Sequence, residues 1–516
     1  MIDDRHPVIV ATSQVMERDE LVTPVELMAR AAEICLDKVP GLRQRVQQVS
    51  VVDVFSGAGP APASDLARRL AIQPQRAETT AVGGNTPQWL VSRIADSIWA
   101  GELEVALIAG GEAQRSAWAG ISKRGGQHDG QGNEVDEADP VVGDSRLGFG
   151  DAELGAGLLA PVQVYPLFES VIAHDAARTY AEQREFIGRL LSPMTSVAAS
   201  HACAWFPIER SPEDISELSS ENRLVSEPYS KRMCAFLGVD QAASILMCSY
   251  GAARAQGIAD RCVFCWSGAD ASEVWFPSAR PEPGRSRGLR VAGNAALQAA
   301  SLDVDDLRWL DFYSCFPCVV EMACDALGVG PDDSRGLTVT GGLPYFGGPG
   351  NAYTLFAIAT MAELLRTGSG GGTSGTRGAG RARGASGNTS GFDVGMVTGL
   401  GWYATKHSVG VYASVPNEKG WSRGGTDREQ QAIDRSALPT TVEVPEPGMS
   451  ATVAASAVNY DSAGQVTSAS LLATLDDGRR VAAAPADSVK LSDIGGVNLV
   501  GERVHVAGTP PRYQPS

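Results

Sequence analysis

Residues 341–353 read Gly-Gly-Leu-Pro-Tyr-Phe-Gly-Gly-Pro-Gly-Asn-Ala-Tyr, a glycine-rich loop that runs into an apolar stretch ending near Leu365. The apolar stretch predicts a helix over 352–365, and residues 394–401 then predict a buried strand. An equivalent pair occurs earlier in the chain. Residues 86–100 predict an amphipathic helix, and residues 104–111 predict a buried strand that also ends in glycines.

The units before these pairs also match each other. Thr23-Pro24-Val25-Glu26 predicts a helix start, since it combines an N-cap, a proline at the first helical position and a capping-box glutamate. A strand is predicted at 49–55. In the second half, a helix around 295–300 precedes a strand at 309–313. Continuous apolar strands that alternate with helices predict duplicated α/β halves around a sheet covered on both faces.

Two segments interrupt these halves. Residues 116–235 are rich in Gly, Asp, Ser and Pro, and they predict a lid or ligand-binding insertion with isolated helices such as 171–187, or else a plain surface excursion. Residues 367–392 are of low complexity and predict a mobile loop. Arg377, Arg381 and Arg383 in that loop are interpreted as solvated rather than as an anion site.

The character of the chain changes after Ala413. Residues 414–437 are polar and predict a linker, whereas residues 438–516 alternate in short apolar segments around Asp-Gly turns. Such turns are a strong hairpin signal. We predict a separate small β-barrel or β-sandwich at 438–516, with an OB-like fold as one candidate.

Composition limits the classes of function. The 516-residue chain carries a net charge of −17, which argues against a nucleic-acid surface. The first residues lack the pattern of a signal peptide, and no apolar run reaches the length of a membrane helix, so we expect a cytoplasmic protein without a membrane span. Its nine cysteines are then expected to be reduced thiols.

The order of these segments resembles the thiolase superfamily over residues 5–415. Pro228-Tyr229-Ser230-Lys231, residues 239–243 and Tyr313-Ser314-Cys315-Phe316 resemble the sterol-carrier-protein thiolase branch, and the appended β domain resembles actinobacterial thiolase-like proteins often described as acetyl-CoA acetyltransferases. The resemblance implies an α/β thiolase fold of five αβαβα layers. It implies a first half at 1–115 and 236–272, a loop domain at 116–235, and a second half at 273–415, with the linker at 416–437 before the extra domain.

The resemblance also implies that the chain lacks several catalytic side chains. Gly83 stands at the position of the family's nucleophilic cysteine, Gly348 at that of the histidine in the Gly-His-Pro loop, and Val397 at that of the cysteine in the Cys-x-Gly motif. Tyr313 occupies the first position of the Asn-Glu-Ala-Phe or His-Asp-Cys-Phe motif. Those missing groups would supply a thiol nucleophile, its activation and proton transfer.

Cys315 is the remaining candidate for a functional thiol, because it matches the catalytic cysteine of the sterol-carrier branch; the alternative is a small buried hydrophobe. Further candidates for the pocket or for binding a thioester carbonyl are Ser314, Asn351, Gly399 and Gly401. The pairs Cys262/Cys265 and Cys315/Cys318 have zinc-like spacing, but we interpret them as core cysteines and predict no metal site.

Three functions remain open. The first is a protein that binds coenzyme A or a pantetheine-linked acyl thioester in lipid or polyketide-type metabolism and has lost standard thiolase activity, a pseudoenzyme. The second is an active acyl-CoA acyltransferase or thioesterase that uses Cys315. The third is a non-catalytic interaction subunit or partner of an acyl carrier. Thiolases usually dimerise through strands near Glu78–Val82, so the resemblance allows a homodimer, and a monomer is not excluded.

Overall fold

The computed structural model describes residues 2–120, 137–368 and 393–515. From residue 369 onward, the predicted low-complexity loop and its three arginines lie outside this part. No helix in the described ranges is both long and apolar enough to cross a membrane.

The first described range builds most of the first half of the fold. Its elements are β1 (Pro7–Met16), α1 (Pro24–Asp37), β2 (Gln48–Val51), α2 (Pro62–Arg69), β3 (Arg76–Thr80), α3 (Thr86–Ala100), β4 (Val105–Ala113) and α4 (Gln114–Trp118).

The second range contains the insertion, the last strand of the first half and most of the second half. Its elements are β5 (Val141–Val142), α5 (Asp151–Gly155), α6 (Pro161–Asp175), α7 (Tyr180–Ser200), α8 (Pro212–Ser216), β6 (Leu224–Ser226), β7 (Tyr229–Ser230), β8 (Asp240–Ser249), α9 (Tyr250–Ala255), β9 (Val263–Ser272), α10 (Arg287–Ala300), β10 (Trp309–Asp311), α11 (Pro317–Leu327) and α12 (Tyr353–Thr367).

The third range completes the second half and adds a C-terminal sheet. Its elements are β11 (Val394–Gly401), β12 (Lys406–Ala413), β13 (Ser422–Arg423), α13 (Asp427–Arg435), β14 (Thr440–Thr441), β15 (Val444–Tyr460), β16 (Val466–Leu475), β17 (Arg480–Pro485), β18 (Arg503–Gly508) and β19 (Arg512–Pro515).

The two halves repeat one strand order. In the first half the order is β3-β2-β4-β8-β1, and in the second it is β10-β11-β12-β9. In both, parallel strands are followed by two antiparallel ones. The halves join where the start of β1 pairs with β9 through Val8 and Ile9. Because β9 pairs along its length with β12, it belongs to the second half, so the predicted boundary at 272 lies one strand too late.

The helices arrange the molecule in layers. α1 contacts β1, β4 and β8 on one outer face, and α10 contacts β9 and β12 on the other. α3 contacts β4 and β11, while α12 contacts β8 and β11, so these two helices fill the space between the halves. α12 is buried almost all round, as a central helix must be.

The insertion differs from its predicted form. The helix expected over 171–187 is two helices, because α6 ends at Asp175 and Ala177 has a φ of +51°. Thr179 then caps α7 through a reciprocal pair with Glu182. A fresh N-cap four residues after a helix end is a restart signal, and the apolar pattern alone concealed it.

The C-terminal strands form a closed set. β15 pairs with β16 and β18, β16 pairs with β17, and β19 pairs with both β17 and β18. This closure agrees with the predicted small β-barrel, and the OB-like assignment stays a prediction. The unit is not separate, because β15 also pairs with β6 of the insertion and packs on α6. The segment predicted as a linker contains α13, whose Ile433 is buried.

Candidate functional site

Two helices begin at the centre of the molecule, where the two halves of the fold meet. The main-chain N–H of Gly83, just before α3, donates to Oδ1 of Asn351, just before α12, at 2.9 Å. Thr354 in the first turn of α12 donates its hydroxyl to the carbonyl of Gly84 at 2.5 Å. Helix N-termini carry partial positive charge, so their convergence favours a carbonyl oxygen or an anion.

The end of strand β11 forms a third wall. A Cβ placed on Gly399 would lie 2.9 Å from Cα of Asn85, and one on Gly401 would lie 2.4 Å from Oδ1 of the same residue. These two glycines therefore allow β11 to approach the start of α3 closely. Val397 lies two residues earlier on the same face of β11, and its side chain is fully buried.

Tyr313 closes this centre from the strand β10 side. Its hydroxyl occupies the space above Gly84, since a Cβ there would lie 2.2 Å from it. Its main-chain N–H donates to Thr398 at 2.9 Å. The structure thus brings together five of the residues predicted from sequence, namely Gly83, Tyr313, Asn351, Gly399 and Gly401.

Gly348 lies on a tight part of the glycine loop. Its N–H donates to the carbonyl of Phe236 at 2.8 Å, and a Cβ would lie 3.0 Å from that oxygen. A larger side chain at this position requires a shift of the Phe236 backbone. Ser314 braces the same loop, since its hydroxyl accepts from the N–H of Leu343 at 3.2 Å.

Cys315 lies beside this loop. Its carbonyl accepts from the N–H of Ala235 at 3.1 Å, which ties it to the insertion. Although the residue keeps partial exposure, burial of its thiol raises the pKa to about 12. No histidine in the described ranges hydrogen-bonds to it. A thiol in these surroundings is protonated at neutral pH and is a poor nucleophile.

A buried acid next to the site was missed by the sequence analysis. Both oxygens of Asp311, at the end of β10, are engaged: Oδ2 accepts from Thr338 and from the N–H of Val339 at 2.9 Å each, and Oδ1 is 3.5 Å from the Tyr353 hydroxyl. Burial raises its pKa to about 6. The carboxylate of Asp311 organises the loop that leads to Gly341. Its partners lie about thirty residues away in the chain, so no local sequence pattern indicates the contact.

A cavity of about 330 Å³ opens next to the glycine loop. Phe236, Pro344 and Tyr345 supply apolar wall, and Arg210, Lys231 and Arg232 supply positive charge. Among the described residues, neither Arg210 nor Lys231 has a carboxylate within salt-bridge distance, and the only acid lining the cavity is Glu221. We call this space the basic cavity. Its composition suits a ligand with an anionic end and an apolar or aromatic body.

The cysteine pairs with zinc-like spacing lie in different places. Cys265 is buried in β9 and Cys318 is buried in α11. Within the described ranges, no three His, Cys, Asp or Glu residues are grouped so as to hold a metal ion.

Of the comparisons with known proteins, only the one with solved structures finds similar proteins. No family model matches the sequence, and no curated protein matches it. The chain is similar over its full length to the crystal structure of a monomeric SCP2-thiolase-like protein type 1 from Mycobacterium smegmatis, with 26% identity, complete coverage of both chains and a TM-score of 0.80.

A second solved structure is similar in fold. It is an acetyl-CoA acetyltransferase from Syntrophomonas wolfei, at 15% identity and a TM-score of 0.54, which spans 80% of this chain and 100% of its own. The two likenesses confirm the thiolase fold predicted from the glycine loop and the duplicated halves. The full coverage of the first also extends over the extra C-terminal β domain.

Proposed function

Since the chain is an SCP2-thiolase-like protein of the thiolase superfamily, we propose that it binds coenzyme A or a pantetheine-linked acyl thioester without carrying out standard thiolysis. The observation that carries the proposal is the centre itself. The two helix starts and the glycine loop are in place, whereas the family resemblance assigns Gly83, Gly348 and Val397 to the positions of two thiols and an imidazole.

The basic cavity supplies a place for the anionic part of such a ligand. Arg210, Lys231 and Arg232 would receive phosphate oxygens, and Phe236 and Tyr345 would contact the less polar part. Cys234 lines the same cavity, and its neighbour Ala235 bonds to Cys315. A chain entering through the cavity would therefore reach the glycine loop beside Gly348.

The bound thioester would be held rather than cleaved. The partial charge of the two helix starts would stabilise the carbonyl oxygen, as an oxyanion hole does. Attack on the carbonyl carbon needs a deprotonated thiol, and the pKa of Cys315, near 12, keeps that thiol protonated. This argues against the alternative in which Cys315 is the nucleophile of an acyltransferase or thioesterase. We also propose a monomer, as stated for the Mycobacterium smegmatis protein.

The test is calorimetric titration with coenzyme A and acetyl-CoA, with thiolysis of acetoacetyl-CoA measured on the same sample. We expect binding, and turnover several orders of magnitude below that of an active thiolase, because loss of a catalytic nucleophile has an effect of that size. The variant Arg210→Glu should weaken binding about tenfold through loss of a charge-assisted contact. The control is Arg189→Glu, an exposed arginine of the same insertion.

Each outcome bears on one function. Turnover at rates typical of the family would refute the proposal, and abolition of that turnover in Cys315→Ala would establish Cys315 as the nucleophile. Absence of both binding and turnover would also refute it and would favour the third function, an interaction subunit or acyl-carrier partner. Equal loss of affinity in Arg189→Glu would show that the basic cavity is not the site.

A further inference from the structure

A lysine occupies the space beside Gly83. A Cβ on Gly83 would lie 3.0 Å from Nζ of Lys406, on β12, and 3.1 Å from its Cε. The chain therefore carries an amine next to the position at which the family resemblance places a thiol. Lys406 is only 6% exposed, whereas the other lysines in the described ranges, Lys38, Lys231, Lys419 and Lys490, are exposed.

The amine of Lys406 has two hydrogen-bond acceptors and no partner carboxylate among the described residues. Nζ donates to the carbonyl of Val82 at 2.6 Å and to that of Asp144 at 3.1 Å, and both acceptors are main-chain oxygens. An ammonium has three N–H groups, whereas a neutral amine has two and a lone pair. In the described ranges no third acceptor and no carboxylate pairs with this nitrogen. Burial lowers its pKa to about 8, so a larger fraction of this amine is unprotonated at neutral pH than in an exposed lysine.

A cavity of about 370 Å³ lies against this amine, and it shares no lining residue with the basic cavity. We call it the Lys406 cavity. Asn85 also lines it, and Oδ1 of Asn85 is buried without a hydrogen-bond partner among the described residues. A buried polar atom without a partner costs free energy, which a ligand hydroxyl or a bound water would recover. The residues around this cavity therefore include both an amine and a hydrogen-bond acceptor without a partner among the described residues.

The lining defines the chemistry of that ligand. The charged and titratable groups facing the cavity are Lys406, Arg146, His407, Asp144, Asp270, Glu273, Asp427 and Asp434. Asp144 pairs with Arg146 at 2.6 Å, and Asp270 pairs with Arg423. Glu273, and Asp427 and Asp434 on α13, then remain to disfavour an anion. The Arg146 guanidinium lies 3.6 Å from the centre of the Trp275 ring and forms a flat wall. Many acceptors beside an aromatic face suit a ligand rich in hydroxyl groups.

We propose that Lys406 is a nucleophilic amine that forms an imine with a small, uncharged hydroxyaldehyde or hydroxyketone in the Lys406 cavity. The nitrogen lone pair attacks the carbonyl carbon and forms the C–N bond, and the carbonyl oxygen becomes a hydroxyl. That oxygen then leaves with the two amine protons as water, and the C=N double bond remains. No oxidant or reductant is needed. The ligand is of a different class from the thioester of the proposed function.

The test uses the intact protein and reductive trapping. It is incubated with glyceraldehyde and sodium cyanoborohydride at neutral pH, digested, and analysed by mass spectrometry for adducts on each of its six lysines. We expect Lys406 to be labelled at least about tenfold faster than the exposed Lys38 and Lys419, because a much larger fraction of its amine is unprotonated. Pyruvate, an anionic carbonyl compound, should label Lys406 more slowly than glyceraldehyde does.

Comparison of adduct formation at Lys406 and at the exposed lysines within one wild-type sample tests the proposal without any variant. Equal or faster labelling of the exposed lysines would overturn the proposal, and so would preference for pyruvate at Lys406. Lys406→Arg keeps a long basic side chain but has no amine that can form an imine, so it should abolish the fast adduct, whereas the control Lys419→Arg should retain it. Titration of the same samples with coenzyme A tests the proposed function separately. Imine formation in the Lys406 cavity and thioester binding in the basic cavity can each fail without the other.

Discussion

At the scale of single residues, Gly83 lies where the surrounding atoms leave no room for a side chain. Its φ is +152°, and a Cβ would lie 2.5 Å from Oδ1 of Asn85 and 3.0 Å from Nζ of Lys406. Asn85 and Lys406 fill the space that a cysteine side chain would need. If Gly83 is the nucleophile position that the family resemblance assigns, Gly83→Cys is therefore expected to disturb the site rather than to create an active thiol.

We predict that Gly83→Ala destabilises the protein by roughly 2–5 kcal/mol, the sum of positive-φ strain and overpacking. The control is Gly57→Ala. Gly57 has a φ of +87° with nothing within 4 Å of the added Cβ, so it reports the strain alone, about 1–2 kcal/mol. Urea unfolding of both variants measures the difference. An equal loss of unfolding free energy in the two variants would show that the residues around Gly83 move to accommodate the added methyl group.

The sequence identified the residues of this centre that belong to a recognisable motif, and it missed those that act through distant pairing. Gly83, Asn351, Gly399 and Gly401 were found because each stands at a helix start or strand end within a local pattern. Lys406 and Asp311 were missed, since Lys406 meets Val82 across 324 residues and Asp311 meets Thr338 across 27. Neither separation leaves a periodic signal in the chain.

At the scale of elements, α6, α7 and α11 meet at a buried pair of glutamates. Gln183 of α7 donates to Glu169 of α6 at 2.5 Å and to Glu321 of α11 at 3.1 Å, and the Tyr229 hydroxyl donates to Glu169 at 2.7 Å. Burial raises the pKa of both carboxyls, and the negative charge of Glu169 raises the pKa of Glu321 further. The pair is stable when it retains a proton.

We predict that Glu321→Gln becomes increasingly stabilising as the pH rises. A carboxyl whose folded pKa is raised contributes stability below the ordinary value of 4.5, and this contribution is lost as pH rises through the folded pKa. The amide does not ionise. The free energy of unfolding of the variant should therefore exceed that of the wild type by about 1–3 kcal/mol at pH 8 and by less at pH 5. Thermal or urea unfolding across this range measures it. The control is Glu185→Gln at an exposed position of α7, and a difference that does not change with pH would contradict the prediction.

The elements that the sequence placed best are those whose burial follows one local period. The bounds of α3 and β11 agree with the predicted 86–100 and 394–401. The segment at 414–437 was predicted as a linker because its composition is polar, yet α13 docks there through Ile433 and through Gln430, which bonds to Ser272 at 2.7 Å. These contacts depend on a partner surface formed by distant residues, so the polar composition of the segment does not reveal them.

At the scale of the whole molecule, the outer edge of the first-half sheet is covered by the chain itself. β5 pairs with the end of β3, Thr79 with Val141 and Thr80 with Val142. The preceding Asp139 is buried and accepts from the N–H of Ala63 at 2.6 Å, which attaches the covering strand to the start of α2. This edge lies near 78–82, where the family resemblance places the dimer contact, so part of the strand is no longer available for pairing with a second chain.

We therefore predict that the full chain sediments as a single species of 54.0 kDa at micromolar concentration. Asp139→Ala should loosen the covering strand, expose the edge of β3 and produce concentration-dependent association, because a free edge is a template for pairing. The control is Asp151→Ala, an exposed acid farther along the insertion, which should remain monomeric. Sedimentation velocity over a dilution series distinguishes these cases. A wild-type dimer that persists on dilution would show that the contact uses a different surface, and a monomeric Asp139→Ala variant would show that β5 holds its place without the α2 attachment.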